Sequence, residues 1–307
     1  MCIAVSACGI SKSFGPLRAL KEISFEIPEA AVAGFIGPDG AGKTTLFRIA
    51  ATLLIPDEGN MTLFGYDSVK DFRNLRKVTG YMPGRFSLYQ DLTVRENLEF
   101  YATVFGTTVL KNYDLIKDIY EHIEPFRDRP AGKLSGGMKQ KLALSCALIH
   151  RPSLIILDEP TTGVDAVSRR EFWELLGSIK ENGITVMVST PYMDEATRCD
   201  TIVLMQDGRI LESGKPGTIK ERFEGTLWHA TAEDTYLLLN ALRKWKYTLT
   251  AYPFGDSAHV TFSEERETAG LIGYMTALNI KGFSIKPAEP TVEDRFLQLM
   301  SGGKIYE

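Results

Sequence analysis

The chain has 307 residues, 44% apolar and 24% charged, which is ordinary for a globular protein and long enough for two domains with sizeable cores. Lys and Arg number 35 against 39 Asp and Glu, a net charge of −4, so no overall basic field points to nucleic acid as a partner. No apolar run approaches the ~20 residues that span a bilayer, and the N-terminus lacks a signal peptide's basic-then-apolar layout, so a cytoplasmic location is expected.

Residues 1 to 29 alternate around Ile23, Phe25 and Ile27 and predict an antiparallel edge hairpin. The apolar run from Ala30 to Ile36 reads as a buried strand, and Thr44 to Leu54 as a helix. Between them, Gly37, Pro38, Asp39, Gly40, Ala41, Gly42, Lys43 and Thr44 form two glycines bracketing four residues, then Lys-Thr, with Thr45 following. Such a strand–loop–helix unit aims backbone N–H groups and the positive helix end at one point, where they bind phosphate. Lys43 reaches β- and γ-phosphate oxygens in this pattern, and the Thr44 hydroxyl is placed to ligate Mg²⁺.

A turn at 56–60 and a short strand at Met61 to Phe64 follow, then a mainly helical stretch from Asp91 to about Phe126. Ser135 caps a further helix, with Leu142, Ser145, Cys146 and Ile149 on one face, whose exposed N-terminal N–H groups make a second anion-binding tip. Leu154 to Leu157 is an apolar strand ending in Asp158-Glu159-Pro160. With the helix Arg169 to Lys180 and the strand Ile184 to Ser189 it predicts a parallel crossover. A parallel strand delivers its C-terminal residues into the same crevice as the phosphate loop. Asp158 is placed there to hold Mg²⁺ through water, and Glu159 to orient or deprotonate a water attacking the γ-phosphate. Strands at 201–205 and 210–212 are joined by the turn Gln206-Asp207-Gly208-Arg209.

Near Phe223-Glu224-Gly225 the pattern changes, which sets the expected boundary between a first domain, 1–224, and a second, 225–307. Strands at 226–232, 247–252, 258–262 and 283–285, with helices at 233–245 and 264–278, give the order β-α-β-β-α-β, a small α+β domain of ferredoxin-like arrangement. Thr291 caps a last helix, with Asp294 three residues on and Val292, Phe296 and Leu299 on one face. Trp228, Trp245 and Tyr247 read as core. The histidines are scattered, the cysteines show no metal-type spacing, and Cys146 reads as a buried reduced thiol.

The run Leu134-Ser135-Gly136-Gly137-Met138-Lys139-Gln140, lying between the phosphate loop and the carboxylate strand, resembles the signature of ATP-binding-cassette (ABC) ATPases. The resemblance covers residues 1 to about 224. It implies a P-loop NTPase domain of the ABC type, α/β, with a mostly parallel core sheet, an antiparallel edge sheet and a helical subdomain at about 91–150. It implies ATP with Mg²⁺ as ligands and a head-to-tail dimer, homo- or heteromeric, in which Ser135, Gly136, Gly137 and Gln140 face the nucleotide of the other subunit. Phe14 matches the aromatic that stacks on adenine, and Asp165 in Thr162-Gly163-Val164-Asp165 matches the residue that crosses the dimer interface. Tyr81-Met82-Pro83, the segment 92–97 and the C-terminal extension look like cassettes for drug, antibiotic or ion export with separate permease subunits. A peripheral place on the inner face of the cell membrane follows from that likeness.

Two positions depart from the family pattern. Its Gln after Tyr-x-Pro is Gly84 here, and its switch His after the last core strand is Pro191. Gln90 lies elsewhere in the loop, and the side chain of Tyr192 should point away. Each missing group is worth ~10²-fold or more in rate, so the chain's own site is expected to hydrolyse ATP slowly. The expectation is therefore an ATPase subunit powering an export permease. The alternative is a largely non-hydrolysing regulatory half of an asymmetric pair. A soluble P-loop kinase or GTPase, or an ABC protein acting on ribosomes or DNA, fits the signature helix and the charge less well.

Overall fold

Alternation over the first thirty residues resolves into two strands, β1 (Ile3–Phe14) and β2 (Leu17–Pro28), paired antiparallel in a computed structural model that describes residues 2–263 and 268–301. The fully buried β3 (Val32–Ile36) leads into α1 (Lys43–Ala50). This helix ends before the expected Leu54, because Thr52 turns left-handed (φ 58°) and is held there by Arg76, which donates to its hydroxyl and carbonyl. β4 (Glu58–Leu63) starts inside the expected 56–60 turn and pairs with β1, and β5 (Tyr66–Asp67) follows. Sequence patterning did not reveal α2 (Phe72–Val78) or β6 (Thr79–Met82). The helical stretch is broken into α3 (Val94–Val104), opened by a Thr93–Glu96 capping box, and α4 (Tyr113–Tyr120), with α5 (Gly136–Leu148) after them. The core is completed by β7 (Leu154–Asp158), α6 (Ala166–Glu181), β8 (Thr185–Thr190), β9 (Thr201–Gln206) and β10 (Arg209–Gly214).

Six strands form the central sheet in the order β10-β9-β3-β8-β7-β6, parallel except for the β9–β10 hairpin, and β2-β1-β4-β5 form the antiparallel edge sheet. Apolar residues of both sheets close over α1. Phe35 of β3 stands edge-to-face between Phe25 of β2 and Phe47 of α1, with centroids 5.0 and 5.2 Å apart. Burial of these rings fixes α1 behind the loop that precedes it.

The chain divides into two units, Met1–Pro216 and Gly217–Glu307, where the sequence pattern had suggested 224/225, and α7 (Pro216–Glu221) starts at the division. There β11 (Leu227–Thr231), α8 (Thr235–Lys244), β12 (Thr248–Phe254), β13 (Ser257–Phe262), α9 (Thr268–Ala277) and β14 (Ser284–Pro287) follow the expected order. The first part of the expected helix 264–278, residues 264–267, lies outside the described residues. The antiparallel sheet β12-β13-β11-β14 is ferredoxin-like. One face packs Ala230, Ala258 and Val260 on Leu238, Leu242, Leu271 and Met275. On the alternate residues Tyr252 and His259 bind Asp294 of α10 (Val292–Ser301), the third residue after its Thr291 cap.

Candidate functional site

The loop from Gly37 to Gly42 is shaped by what surrounds it. A Cβ on Gly37 would stand 2.1 Å from the carbonyl oxygen of Met205 in β9, so only glycine allows this approach. Gly42 caps α1 at φ 99°, a left-handed conformation that a side chain resists. No side chain caps α1, and Gly42, Lys43, Thr44 and Thr45 line a cavity of about 550 Å³ together with Asp39, Gly40 and Ala41. The helix's first N–H groups and positive end therefore belong to that cavity. Its rim is formed by Phe14, which is 48% exposed, with Leu17 and Arg18 of the β1–β2 hairpin and Asp207 and Gly208 of the β9–β10 turn. That turn is stitched to both neighbours: Gly208 N donates to Ala41 O at 3.2 Å, and Lys21 N donates to Gly208 O at 2.7 Å.

Lys43 is only 3% exposed. Its ammonium donates to the carbonyls of Gly37 (2.7 Å) and Pro38 (3.1 Å) and lies 3.3 Å from Glu159 Oε1. Asp158, 2% exposed at the end of β7, accepts on Oδ1 from Thr44 Oγ1 (3.1 Å) and Ser189 Oγ (2.8 Å). Glu159 follows at φ 49°, which costs a non-glycine residue on the order of 1 kcal/mol or more, and its N–H donates to Ser189 Oγ at 2.9 Å. Cation, hydroxyl and both carboxylates thus meet at the C-terminal edge of the parallel strands, as the sequence led us to expect. Such a site can neutralise a polyphosphate and present a base beside it.

The two departing positions also lie here. A Cβ on Gly84 would be 3.1 Å from Asp158 O and 3.8 Å from Glu159 Cβ, so this is the place beside the carboxylates from which a side chain would reach them, and glycine supplies none. Pro191 follows directly on β8 and has no N–H to give. Tyr192 packs its ring under the Arg169 guanidinium at 4.8 Å. Gln90 is engaged with the helical subdomain through its carbonyl, which accepts from Gly132 N.

Ser135 is exposed at the tip of α5, accepting from Met138 N at 3.4 Å, and Gly136 is exposed beside it. Gly137 abuts α6, where a Cβ would come within 2.7 Å of Ser168 Oγ. Asp165 caps α6, accepting from Val167 N, Ser168 N and Ser168 Oγ, and these bonds, led by the Ser168 N–H, hold its carboxyl below the usual range. Gln140 is half-buried on α5. Among the described residues, none of 135–140 lines the Lys43 cavity. Sequence reasoning missed Ser189, Arg18, Asp207 and Gly208. For Ser189 the available signal was a hydroxyl near the end of an apolar strand next to the carboxylate strand.

Comparison with known proteins gives a consistent result. A model of the ABC transporter family matches residues 20–162. The "Probable multidrug ABC transporter ATP-binding protein YbhF" of Escherichia coli K12 is 37% identical over 305 residues, 97% of this chain and 52% of its own length, so the chain spans about half of that relative. The "Nod factor export ATP-binding protein I" of Rhizobium sp. strain N33 is 37% identical over 226 residues, 73% of this chain and 74% of that protein. Among solved structures, cbiO1 of Clostridium perfringens, described as part of the ABC transporter complex cbiONQ, superposes with a TM-score of 0.65 at 25% identity over 72% of this chain and 92% of its own. A dimeric post-hydrolysis state of the ATP-binding cassette MJ0796 bound to ADP and Pi gives 0.62 at 25% identity over 69% and 98%. Phosphate loop, carboxylate strand, signature helix and these likenesses agree: the chain belongs to the ABC transporter ATP-binding proteins.

Proposed function

We propose that this chain binds ATP with Mg²⁺ in the Lys43 cavity and hydrolyses it to drive a membrane export permease, slowly at its own site. The reading is carried by the convergence of Lys43, Thr44, Asp158 and Glu159 at the end of β3 and β7. Lys43 exchanges its carbonyl partners for β- and γ-phosphate oxygens, and the Gly40–Thr45 backbone cradles the same phosphates. Thr44 and Asp158 offer hard oxygens within 3.1 Å of each other, a donor set that suits Mg²⁺, which keeps water and phosphate as its other ligands. When bound, the ion neutralises charge on the β- and γ-oxygens. Glu159, released from Lys43, accepts a proton from the attacking water. Phe14 offers its exposed ring to the base.

Ser135, Gly136, Gly137 and Gln140 are assigned to the nucleotide of a second cassette, this chain or a homologue, with Asp165 near the seam. The names of the relatives support export. For the permease we assign the apolar groove of about 350 Å³ that runs from the 79–88 segment to α3 and α5, lined by Leu75, Met82, Leu88, Tyr101, Phe105 and His150. It includes Pro83 and Arg85, the neighbours of Gly84, so a segment seated there senses the carboxylates. No helix among the described residues is long and apolar enough to cross a membrane, and we place the chain peripherally on the inner face. Residues 1–224 form the cassette in this reading and 225–307 an accessory domain.

Gly84 and Pro191 favour a second reading, a regulatory half that gates a partner and turns over little. Turnover of the purified protein, alone and as the double variant Gly84→Gln/Pro191→His, tests the slow site. Hydrolysis should rise in the double variant, whereas ordinary turnover unchanged by it removes the idea. Transport by the assembled exporter carrying Glu159→Gln separates the readings: abolished for a powering subunit, largely kept for a regulatory one.

A further inference from the structure

Ser189 is fully buried on a strand whose every residue is buried, directly after the apolar run Val186, Met187 and Val188. A hydroxyl in such a place must find partners or cost stability. Both of its partners belong to the site. Ser189 Oγ accepts from the N–H of Glu159 at 2.9 Å and donates to Asp158 Oδ1 at 2.8 Å. The parallel register that sets Asp158 opposite Ser189 brings this about. One hydroxyl therefore touches both members of the carboxylate pair.

Its two bonds do different things. The bond from Glu159 N–H secures a backbone at φ 49° that has no glycine to ease it, and so determines where the Glu159 side chain leaves the chain. The bond to Oδ1 fixes the rotation of the Asp158 carboxylate on the oxygen shared with Thr44. Gly84 provides no side chain beside these carboxylates, and Pro191 no N–H at the end of the same strand. We propose that Ser189 is a positioning residue that sets the base Glu159 and the cation-holding Asp158 through a single hydroxyl. This rests on the roles given to those carboxylates above.

The test uses the full chain as Ser189→Ala and Ser189→Thr, with Glu159→Gln as a reference. Three quantities are measured: the single-turnover rate of ATP hydrolysis, ATP affinity by calorimetry in Mg²⁺ and in EDTA, and thermal unfolding. Ser189→Ala should lower the rate at least tenfold and lose most of the gain in affinity that Mg²⁺ confers. Its affinity in EDTA should stay within twofold of the parent, and Ser189→Thr, which keeps the hydroxyl, should recover most of both effects. The assignment is overturned if Ser189→Ala stays within twofold in rate and in Mg²⁺ gain. It is overturned equally if EDTA and Mg²⁺ affinities fall together, as a general loss of structure would make them, or if the Thr variant is as defective as Ala. Where the parent turns over too slowly to time, the Mg²⁺ gain alone decides. Failure of the underlying roles is seen separately: Glu159→Gln would then hydrolyse ATP like the parent, whereas failure of the Ser189 assignment alone leaves Glu159→Gln defective and Ser189→Ala normal.

Discussion

Replacing Lys43 by Ala removes a cation that is 3% exposed and sits between two loop carbonyls and Glu159 Oε1 at 2.7, 3.1 and 3.3 Å. In the binding mode proposed above, those contacts give way to hydrogen bonds to phosphate oxygens, each worth ~1.5–3 kcal/mol as a charge-assisted bond. Two such bonds amount to about 3–6 kcal/mol, so affinity should fall by roughly 10²–10⁴-fold. Without nucleotide the variant loses only neutral carbonyl partners and one partly solvated ion pair, which bounds the loss of folding stability at about 1–3 kcal/mol. Calorimetric titration of ATP into the purified variant, with thermal unfolding of the same sample, separates the two. Lys43→Arg should rescue poorly, because a planar guanidinium cannot reproduce the compact ammonium that reaches the Gly37 and Pro38 carbonyls from one point. An Ala variant that stays folded and binds ATP within about threefold of the parent refutes the phosphate assignment.

Gly137→Ala sets a methyl 2.7 Å from Ser168 Oγ and 2.9 Å from Ser168 Cβ, so α6 and its Asp165 cap must shift. We expect ~1–3 kcal/mol of destabilisation and a loss of dimer-dependent hydrolysis with ATP binding at Lys43 preserved, read by coupled turnover and titration assays. In the second unit, Asp294→Ala strips the acceptor from Tyr252 Oη (2.7 Å), His259 Nδ1 (2.6 Å) and the Thr291 N–H and hydroxyl (2.7 and 2.6 Å). Losing these buried bonds together with a helix cap costs about 3–6 kcal/mol, which should release α10 to hydrogen exchange in the full chain. Burial by itself would raise the Asp294 carboxyl, but the bonds from His259, Thr291 and Tyr252 outweigh it and hold the group below its usual range. Its contribution is therefore complete above the unfolded carboxylate value and is lost as pH falls through the lower folded one. Acid protection measurements on parent and variant should converge there, and a parent–variant gap that persists below it would contradict the sign.

What could be read from the sequence divides along the range of the interactions. The phosphate loop was legible because its glycines, Lys43 and Thr44 act within one strand–turn–helix unit. Asp158 and Glu159 were legible because an apolar strand ends on them. Ser189 was not, since its meaning depends on a register with residues thirty positions earlier. The strand at Thr79–Met82 escaped for a similar reason: it is four residues long, and its Gly80 looks like a breaker. In the fold that glycine is required, because a Cβ would stand 2.3 Å from the Ala147 carbonyl oxygen. Overextension of α1 came from following its apolar period through Leu53 and Leu54, although the left-handed Thr52 had already ended it. The Asp165 cap shows a residue assigned from the resemblance to a seam between subunits also bearing a local duty within one chain.

The β9–β10 turn carries a consequence for anyone modifying this protein. Hairpin tips are the usual places to graft a tag or accept an extra residue, because nothing behind them depends on their length. Here the peptide of Gly208 is riveted on one side to Ala41 and on the other to Lys21, with Ala19 O only 2.5 Å from where a Cβ would sit. A one-residue insertion at 207–208 would prise apart the hairpin that bears Phe14 and the loop that leads into Lys43. Fluorophores and affinity handles belong on other surface loops.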